Sequence, residues 1–347
     1  MAGILNEHIR SGLATKLLLA TVVIIIVIVG LASFASRVVS NAGLLALARA
    51  LVQDDLTGAT RPNSTDLTNA YSWLETATRL DAANRGAWRG LGFVLANEGQ
   101  EGDAIAAWRT AQATAAEFIW RGEIERVAGH FDKALAWYQR AISMQLEQSD
   151  GWYYAGLAFQ GLNDWGSARR AYEQAIRVGT FDQISRSSLN YRLGVIYQQY
   201  TQPPLLDKAL NAYSLALEQN DFLLESEAAD CHYKRGMIYE PQDQRLALHE
   251  YEEAIALNPQ HEWAHLRLGL MRYRIDKDMP AAEQEIGRAL QLWPAGTSRK
   301  WPYRYLGDMY REAGLPAQAE VAYREALRWD PQDGQVKSSL AKLSQHD

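Results

Sequence analysis

The chain contains few cysteines and prolines, the residues that restrain a backbone through covalent bonds. Its 347 residues include one cysteine, Cys231, and 10 prolines. A single cysteine excludes a disulfide within the chain. It fits a reduced compartment, or an oxidising one in which no disulfide is needed. Cys231 lies near the start of a predicted helix, so we interpret it as a small packed thiol rather than a reactive one.

Signatures of catalysis and of nucleotide binding are also missing. The sequence has no glycine-rich phosphate loop followed by lysine, no G-x-S-x-G turn and no cysteine pair with metal-ligand spacing. The net charge is −6 and no basic run stands out, which argues against a nucleic-acid partner. We therefore predict that the protein is not an enzyme and has no cofactor, metal or catalytic site.

What the sequence does contain is an internal repeat. The phrase Ala-x-x-x-aromatic-x-x-Ala recurs, and its steps of four and three place all three residues on one helical face. The copies are Ala104/Trp108/Ala111, Ala134/Tyr138/Ala141, Ala168/Tyr172/Ala175, Ala209/Tyr213/Ala216, Ala247/Tyr251/Ala254, Ala282/Ile286/Ala289 and Ala319/Tyr323/Ala326. A glycine precedes each copy by about a dozen residues. These glycines are Gly92, Gly122, Gly156, Gly194, Gly236, Gly269 and Gly307.

Each unit encodes two helices that can approach closely. Small residues such as Gly156 and Ala168 bring the axes together, and an aromatic such as Tyr172 fills the space beside them. The pattern resembles the tetratricopeptide repeat, a helix–turn–helix unit of roughly 34 residues. The resemblance implies an all-α fold, a right-handed superhelical solenoid over residues 67–334. We expect about seven repeats plus a partial one, preceded by a single transmembrane helix.

Both ends of the solenoid are expected to be atypical. Thr68–Asn84 is predicted to be a second helix, and Leu44–Leu56 is the candidate for its first-helix partner. Residues 335–347 are predicted to form a polar capping helix and tail, with the helix over Gly334–Gln345.

The N-terminal segment Leu17–Ala35 is apolar, uncharged and long enough to cross a membrane. We predict a short cytoplasmic N-terminus over 1–16, a transmembrane helix over 17–36 and a juxtamembrane arm over 37–66, most flexible at Arg61–Ser64. Arg10 and Lys16 precede the segment, which favours an external solenoid. A cleaved signal peptide ending at Ser33–Ala35 and the reversed topology are the alternatives.

His261, Glu262 and His265 form the one enzyme-like motif, H-E-x-x-H. On a helix this pattern places two imidazoles on one face to bind zinc, with the glutamate as general base. Glu283 or Glu285 is spaced for a third ligand. The repeat already accounts for the class of each residue, because His265 falls where other units have Trp or Tyr. A zinc hydrolase therefore remains a minor alternative.

The resemblance implies that first helices line a concave groove, and it marks the residues beside the packing positions as candidates for binding. The candidates are Arg89, Phe93, Tyr153, Leu157, Tyr191, Val195, Tyr233, Met237, Leu266, Leu270, Tyr273, Arg304 and Arg311. Tyr153, Tyr191 and Tyr233 fall in register. They either pad the core between repeats or form a binding strip for an apolar or helical partner segment. The Lys/Asn clamp with which some relatives grip acidic C-termini has no counterpart here.

These observations favour a membrane-anchored scaffold that binds protein partners at a bacterial-type cell envelope, with the solenoid outside the cytoplasm. The repeat supports the binding class only, because a fold does not fix a function. A subunit that binds a glycan or cell-wall polymer is the main alternative, since aromatic side chains also stack on sugars.

Overall fold

The computed structural model describes residues 2–57, 64–145, 148–181 and 184–343, and every regular element in these ranges is an α-helix. This confirms the all-α fold class. The helices divide between two compact units, Met1–Leu146 and Glu147–Asp347. Parts of the predicted linker Arg61–Ser64 and of the C-terminal tail lie outside the described residues.

The first unit has six helices within the described ranges. They are α1 (Ala2–Thr57), α2 (Ser64–Leu80), α3 (Arg85–Asn97), α4 (Glu101–Thr110), α5 (Ala115–Val127) and α6 (Phe131–Met144).

The second unit continues as a series of helix pairs that ends in a short helix. Its elements are α7 (Asp150–Gly161), α8 (Trp165–Val178), α9 (Arg186–Gln199), α10 (Leu206–Gln219), α11 (Glu225–Tyr239), α12 (Gln244–Leu257), α13 (Glu262–Asp276), α14 (Met279–Leu292), α15 (Lys300–Glu312), α16 (Pro316–Trp329) and α17 (Gly334–Leu343).

In most helix pairs the recurring glycine packs against the recurring aromatic, and Gly269 packs against Ile286 instead. A Cβ atom placed on Gly236 would lie 2.6 Å from Tyr251 Cε1, so only glycine allows α11 and α12 to approach this closely. The aromatic ring is fully buried, as are its alanine neighbours Ala247 and Ala254. The repeated phrase is therefore the packing surface of each hairpin.

The first hairpin is formed by α1 and α2, and it begins earlier than expected. Ser36 Oγ donates to the Ala77 carbonyl at 2.7 Å, as Ser149 Oγ does to the Ala175 carbonyl at 2.7 Å. Seven residues after Ser36, Gly43 would place a Cβ 2.7 Å from Leu74 Cγ. Gly43 is thus the repeat glycine of this hairpin, and Leu74 replaces the aromatic.

This arrangement differs from the predicted arm over residues 37–66. Helix α1 runs without a break from Ala2 to Thr57, and no proline interrupts the sequence before Pro62. Packing against α2 buries Ser36, Ser40, Leu47 and Ala50, so the helix that leaves the apolar segment is also the first helix of the solenoid.

Candidate functional site

A concave groove opens where four first helices of the second unit lie side by side. Its cavity of about 490 Å³ is bordered by α9, α11, α13 and α15. The lining residues are Tyr191, Gln199, Asp230, Tyr233, Lys234, Met237, His261, Trp263, Arg267, Trp301 and Tyr305. We call this surface the α9–α15 groove. Its volume falls within the range of ordinary ligand sites.

The repeat architecture determines which side chains reach the groove. On α13 and α15, Arg267 and Tyr305 each lie two residues before the repeat glycine, and Lys234 does so on α11. Trp263 and Trp301 each lie one helical turn earlier, on the same face. Side chains at equivalent positions of successive hairpins therefore form one continuous lining.

A hydrogen-bonded network orients one wall of the groove. Asp230 accepts a hydrogen bond from Tyr191 Oη at 3.1 Å and lies 3.1 Å from His261 Nε2. His261 Nδ1 accepts the Ala264 backbone N–H at 3.3 Å, as a cap of α13. The proton of a neutral His261 is therefore on Nε2, which donates it to Asp230. Burial first, and then the Asp230 charge, raise the pKa of Tyr191, which keeps its hydroxyl protonated.

The opposite wall is cationic and aromatic. Arg267 lies 3.3 Å from Glu240 Oε2, and its guanidinium carbon lies 5.6 Å from the centre of the Tyr305 ring. Burial acts to lower the pKa of Arg267, but Glu240 and the neighbouring tyrosines Tyr305, Tyr233 and Tyr251 together outweigh it, and the pKa is raised. Arg267 thus carries a fixed positive charge beside an aromatic surface.

The ammonium group of Lys234 is available to a ligand in this groove. Among the described residues, its ammonium group makes no hydrogen bond or ion pair. Burial lowers the pKa of Lys234, although the charges of Asp230 and Cys231 oppose the shift. A ligand carboxylate at Lys234 would relieve this desolvation cost.

The tyrosines expected to form a strip do not all reach the groove. Tyr153 is 3% exposed and Tyr233 is 9% exposed, because each packs against the aromatic of its own hairpin, Tyr172 or Tyr251. Tyr191 remains half-buried and lines the groove together with Met237. The core-padding interpretation therefore describes Tyr153, and Tyr233 shows only an edge.

The other candidate residues do not line the α9–α15 groove. Three of them, Leu266, Leu270 and Tyr273, are buried in the core of the second unit. Leu157 and Val195 pack half-buried against a neighbouring core cluster. The charged candidates are held by ion pairs: Arg89 with Glu117, Arg304 with Asp308, and Arg311 with Asp308 and Glu312. Phe93 lines a separate pocket of the first unit.

Sequence reasoning missed Lys234, Trp263, Arg267, Trp301 and Tyr305. On α13 and α15, Arg267 and Tyr305 lie one residue after the predicted positions, which is about 100° around the helix. On α11 the predicted Tyr233 and Met237 do line the groove, beside Lys234. One signal was available: three of the missed residues lie two before a repeat glycine, and all three are charged or aromatic.

The H-E-x-x-H segment is occupied by structural contacts. His265 Nδ1 lies 2.7 Å from Glu285 Oε2, and His265 Nε2 lies 3.1 Å from the Pro259 carbonyl. His261 caps α13 and contacts Asp230. Within the described residues, no group of three or more His, Cys, Asp or Glu side chains is arranged to hold a metal ion. The zinc-hydrolase alternative therefore has no support in the geometry.

Comparisons with known proteins give the class. A tetratricopeptide-repeat model matches residues 306–333, and no curated protein matches the chain. Pseudomonas aeruginosa PilF has a TM-score of 0.51 at 15% identity, covering 67% of this chain and 97% of that one. PilW, described as a type IV pilus biogenesis factor, has a TM-score of 0.51 at 12% identity, covering 65% and 98%.

A chain of the APC/C hetero-tetramer Cut9–Hcn1 has a TM-score of 0.49 at 16% identity, and the match covers 80% of this chain. The chain spans about half of that protein, 52%. At these identities the likeness shows the fold alone. Fold and sequence match together define a tetratricopeptide-repeat protein with an N-terminal apolar helix that is a candidate membrane anchor.

Proposed function

We propose that the protein is a membrane-anchored, non-enzymatic scaffold whose α9–α15 groove captures a protein partner. The groove itself carries this proposal. It combines an open cation at Lys234, a fixed cation at Arg267 and partly exposed aromatics at Trp301 and Tyr305. Aromatic and arginine side chains in a concave setting are typical of the residues that dominate protein interfaces.

Helix α1 supports the anchor. Helix α1 contains an apolar stretch long enough to cross a membrane, and its side chains from Ile24 to Val29 are exposed. Soluble proteins rarely expose a contiguous apolar surface of this kind. Ser33 Oγ donates to Asp81 Oδ2 at 3.0 Å, so a carboxylate lies at this level of α1. Because hydrocarbon excludes an ionised carboxylate, we infer that the membrane-embedded part ends near Ser33.

We infer the orientation of α1 in the membrane from the charges that flank its apolar stretch. Arg10 and Lys16 precede the apolar stretch, which favours a cytoplasmic N-terminus and an extracytoplasmic solenoid in a cell envelope. A compartment-sensitive reporter fused to the C-terminus tests this topology. A reporter that is active only in the cytoplasm should be silent, and an active one would reverse the orientation.

The test of the groove uses photo-crosslinking in membranes. A photoreactive residue at Tyr305 should capture a discrete protein, and the double variant Lys234→Gln/Trp301→Ala should lose that product. The matched control is Leu215→Ser, an exposed position on α10. A product that survives the double variant would refute the groove as the site. Retention of the protein on purified cell-wall polymer through Trp301 would instead support a glycan-binding function.

A further inference from the structure

The first unit contains a second pocket, distinct from the α9–α15 groove. Its volume is about 310 Å³, and its walls come from α1, α3, α5 and α6. Leu44 and Leu47 contribute an aliphatic wall from the anchor helix, while Phe93 and Trp137 contribute an aromatic one. We call it the α1–α6 pocket. Unlike a groove built from first helices alone, it takes Trp137 from a second helix.

Two arginines lie on the aromatic wall, and they differ in their partners. The Arg121 guanidinium carbon lies 4.3 Å from the centre of the Phe93 ring and 5.5 Å from that of Trp137. Arg140 lies over the same Trp137 ring at 4.5 Å. Arg140 also forms an ion pair with Glu101, with Nη2 2.5 Å from Oε1. Its charge is therefore already balanced.

Arg121 has no such balance. Among the described residues it makes no hydrogen bond or ion pair. The nearest acidic influence is Glu117, which pairs with Arg89 at 2.9 Å. Contact with the faces of Phe93 and Trp137 positions the guanidinium and leaves its N–H groups to bind a ligand. The pocket thus presents an apolar cleft with one unpaired cation at its edge.

The position of the pocket along α1 favours a protein ligand over a lipid ligand. Leu44 lies 11 residues beyond Ser33, the inferred membrane boundary, which is about 16 Å along the helix. The headgroup layer extends only roughly 5–8 Å beyond the hydrocarbon. Lipid phosphates therefore do not reach this cleft when α1 is upright, whereas a protein segment does.

We propose that the α1–α6 pocket binds a protein segment in which a large apolar side chain stands next to a carboxylate. The apolar side chain packs between Leu44, Leu47 and the aromatic wall, and the carboxylate pairs with Arg121. The volume suits one large side chain and its neighbours, and the charge of Arg121 selects the acidic companion.

Two peptides that differ by one charge test the proposal. The probes are acetyl-Ala-Trp-Glu-Ala-amide and acetyl-Ala-Trp-Gln-Ala-amide, titrated by saturation-transfer NMR against the full chain in neutral phosphatidylcholine nanodiscs. The glutamate peptide should bind about tenfold more tightly. Arg121→Gln should reduce its affinity to that of the glutamine peptide, without loss of circular dichroism. Leu44→Ser should weaken both peptides.

The matched control is Arg79→Gln, which removes a 73%-exposed arginine of the same unit and should change neither affinity. Equal binding of the two peptides, or a preference that survives Arg121→Gln, would overturn the proposal. Loss of the glutamate peptide when phosphatidylserine replaces part of the lipid would overturn it too, because lipid headgroups would then occupy the pocket. None of these outcomes bears on partner capture at Tyr305.

Discussion

At the scale of single residues, the fold depends on glycines that face an aromatic ring. The contact between Gly236 and Tyr251 shows why, since any Cβ atom at this position enters the ring. Tyr251 Oη donates to Glu240 at 2.9 Å, so the ring is held at its edge as well and has little freedom to move aside. The same constraint does not apply to a helical glycine that faces open space.

We therefore predict that Gly236→Ala lowers the free energy of unfolding by about 1–3 kcal/mol through overpacking. Urea titration followed by circular dichroism measures this change. Gly287→Ala on α14 is the control, since its added Cβ meets nothing within 4 Å apart from its chain neighbours and the nearby backbone of its own helix. The control should be neutral or up to about 1 kcal/mol stabilising. Equal effects of the two variants would contradict the packing role.

The buried imidazole of His265 is a second residue-scale case. Both of its nitrogens face acceptors, Glu285 Oε2 and the Pro259 carbonyl. His265→Ala should cost about 1–3 kcal/mol, because it removes a buried side chain together with its hydrogen bonds to Glu285 and Pro259. His249→Ala, at an exposed position on α12, should be nearly neutral. Metal analysis of the purified chain is expected to give less than stoichiometric zinc, and a stoichiometric amount would restore the hydrolase alternative.

At the scale of elements, the start of α9 depends on a carboxylate from the loop that follows α10. Asp221 accepts the Ser187 backbone N–H at 2.8 Å and the Arg186 backbone N–H at 3.2 Å. It therefore satisfies donors that the first turn of a helix leaves without partners. Burial opposes the charge of Asp221, but the hydrogen bonds from Ser187 and Arg186 outweigh burial and lower its pKa.

The lowered pKa sets the sign of a pH dependence. Stability from Asp221 is fully present above the ordinary aspartate pKa of about 3.9, and it is lost as pH falls through the lower folded-state value. Asp221→Asn should cost about 1–2 kcal/mol at pH 7. The difference from wild type should shrink below about pH 4. Urea midpoints at pH 7 and pH 3 measure it, and a constant difference would contradict the assignment.

Elements also show what the sequence could predict. The helix pairs and their packing faces follow from local spacing, because small residues and aromatics at steps of three and four define one face. The residues that line the groove could not be predicted from local spacing in the same way. Which residues of α13 and α15 face the groove depends on how these helices pack against their neighbours, and spacing along one helix does not specify such contacts.

The first hairpin was only partly predictable for a related reason. The repeat glycine Gly43 precedes Ala70 by far more residues than its counterparts precede theirs, and Leu74 takes the place of an aromatic. The periodic signal is therefore lost there. The hydrogen bond from Ser36 to the Ala77 carbonyl, repeated in later hairpins, is visible only in three dimensions.

At the scale of the whole molecule, the first unit begins with one apolar helix, and that helix is expected to decide where the protein is displayed. Deletion of residues 2–32 should move the protein from the membrane pellet to the soluble fraction after carbonate extraction. The Ser36–Ala77 hydrogen bond and the Gly43–Leu74 contact remain, so the rest of the protein should stay folded and helicity should fall only by the deleted turns. A pellet-bound deletion variant would show that another surface holds the protein to the membrane.

The continuity of helix α1 bears on how far the first unit would stand from a membrane that the helix spans. If α1 anchors the protein in a membrane as proposed, its unbroken helix acts as a rigid spacer, and we expect the first unit to stay at one level above the bilayer. Six Gly/Ser residues inserted after Ala35 should leave insertion and folding intact but reduce capture of a membrane-bound partner. A helical heptad of Ala, Glu and Lys at the same point should shift the preferred level by about 10 Å. Such a protein would select its partners by how far they project from the membrane.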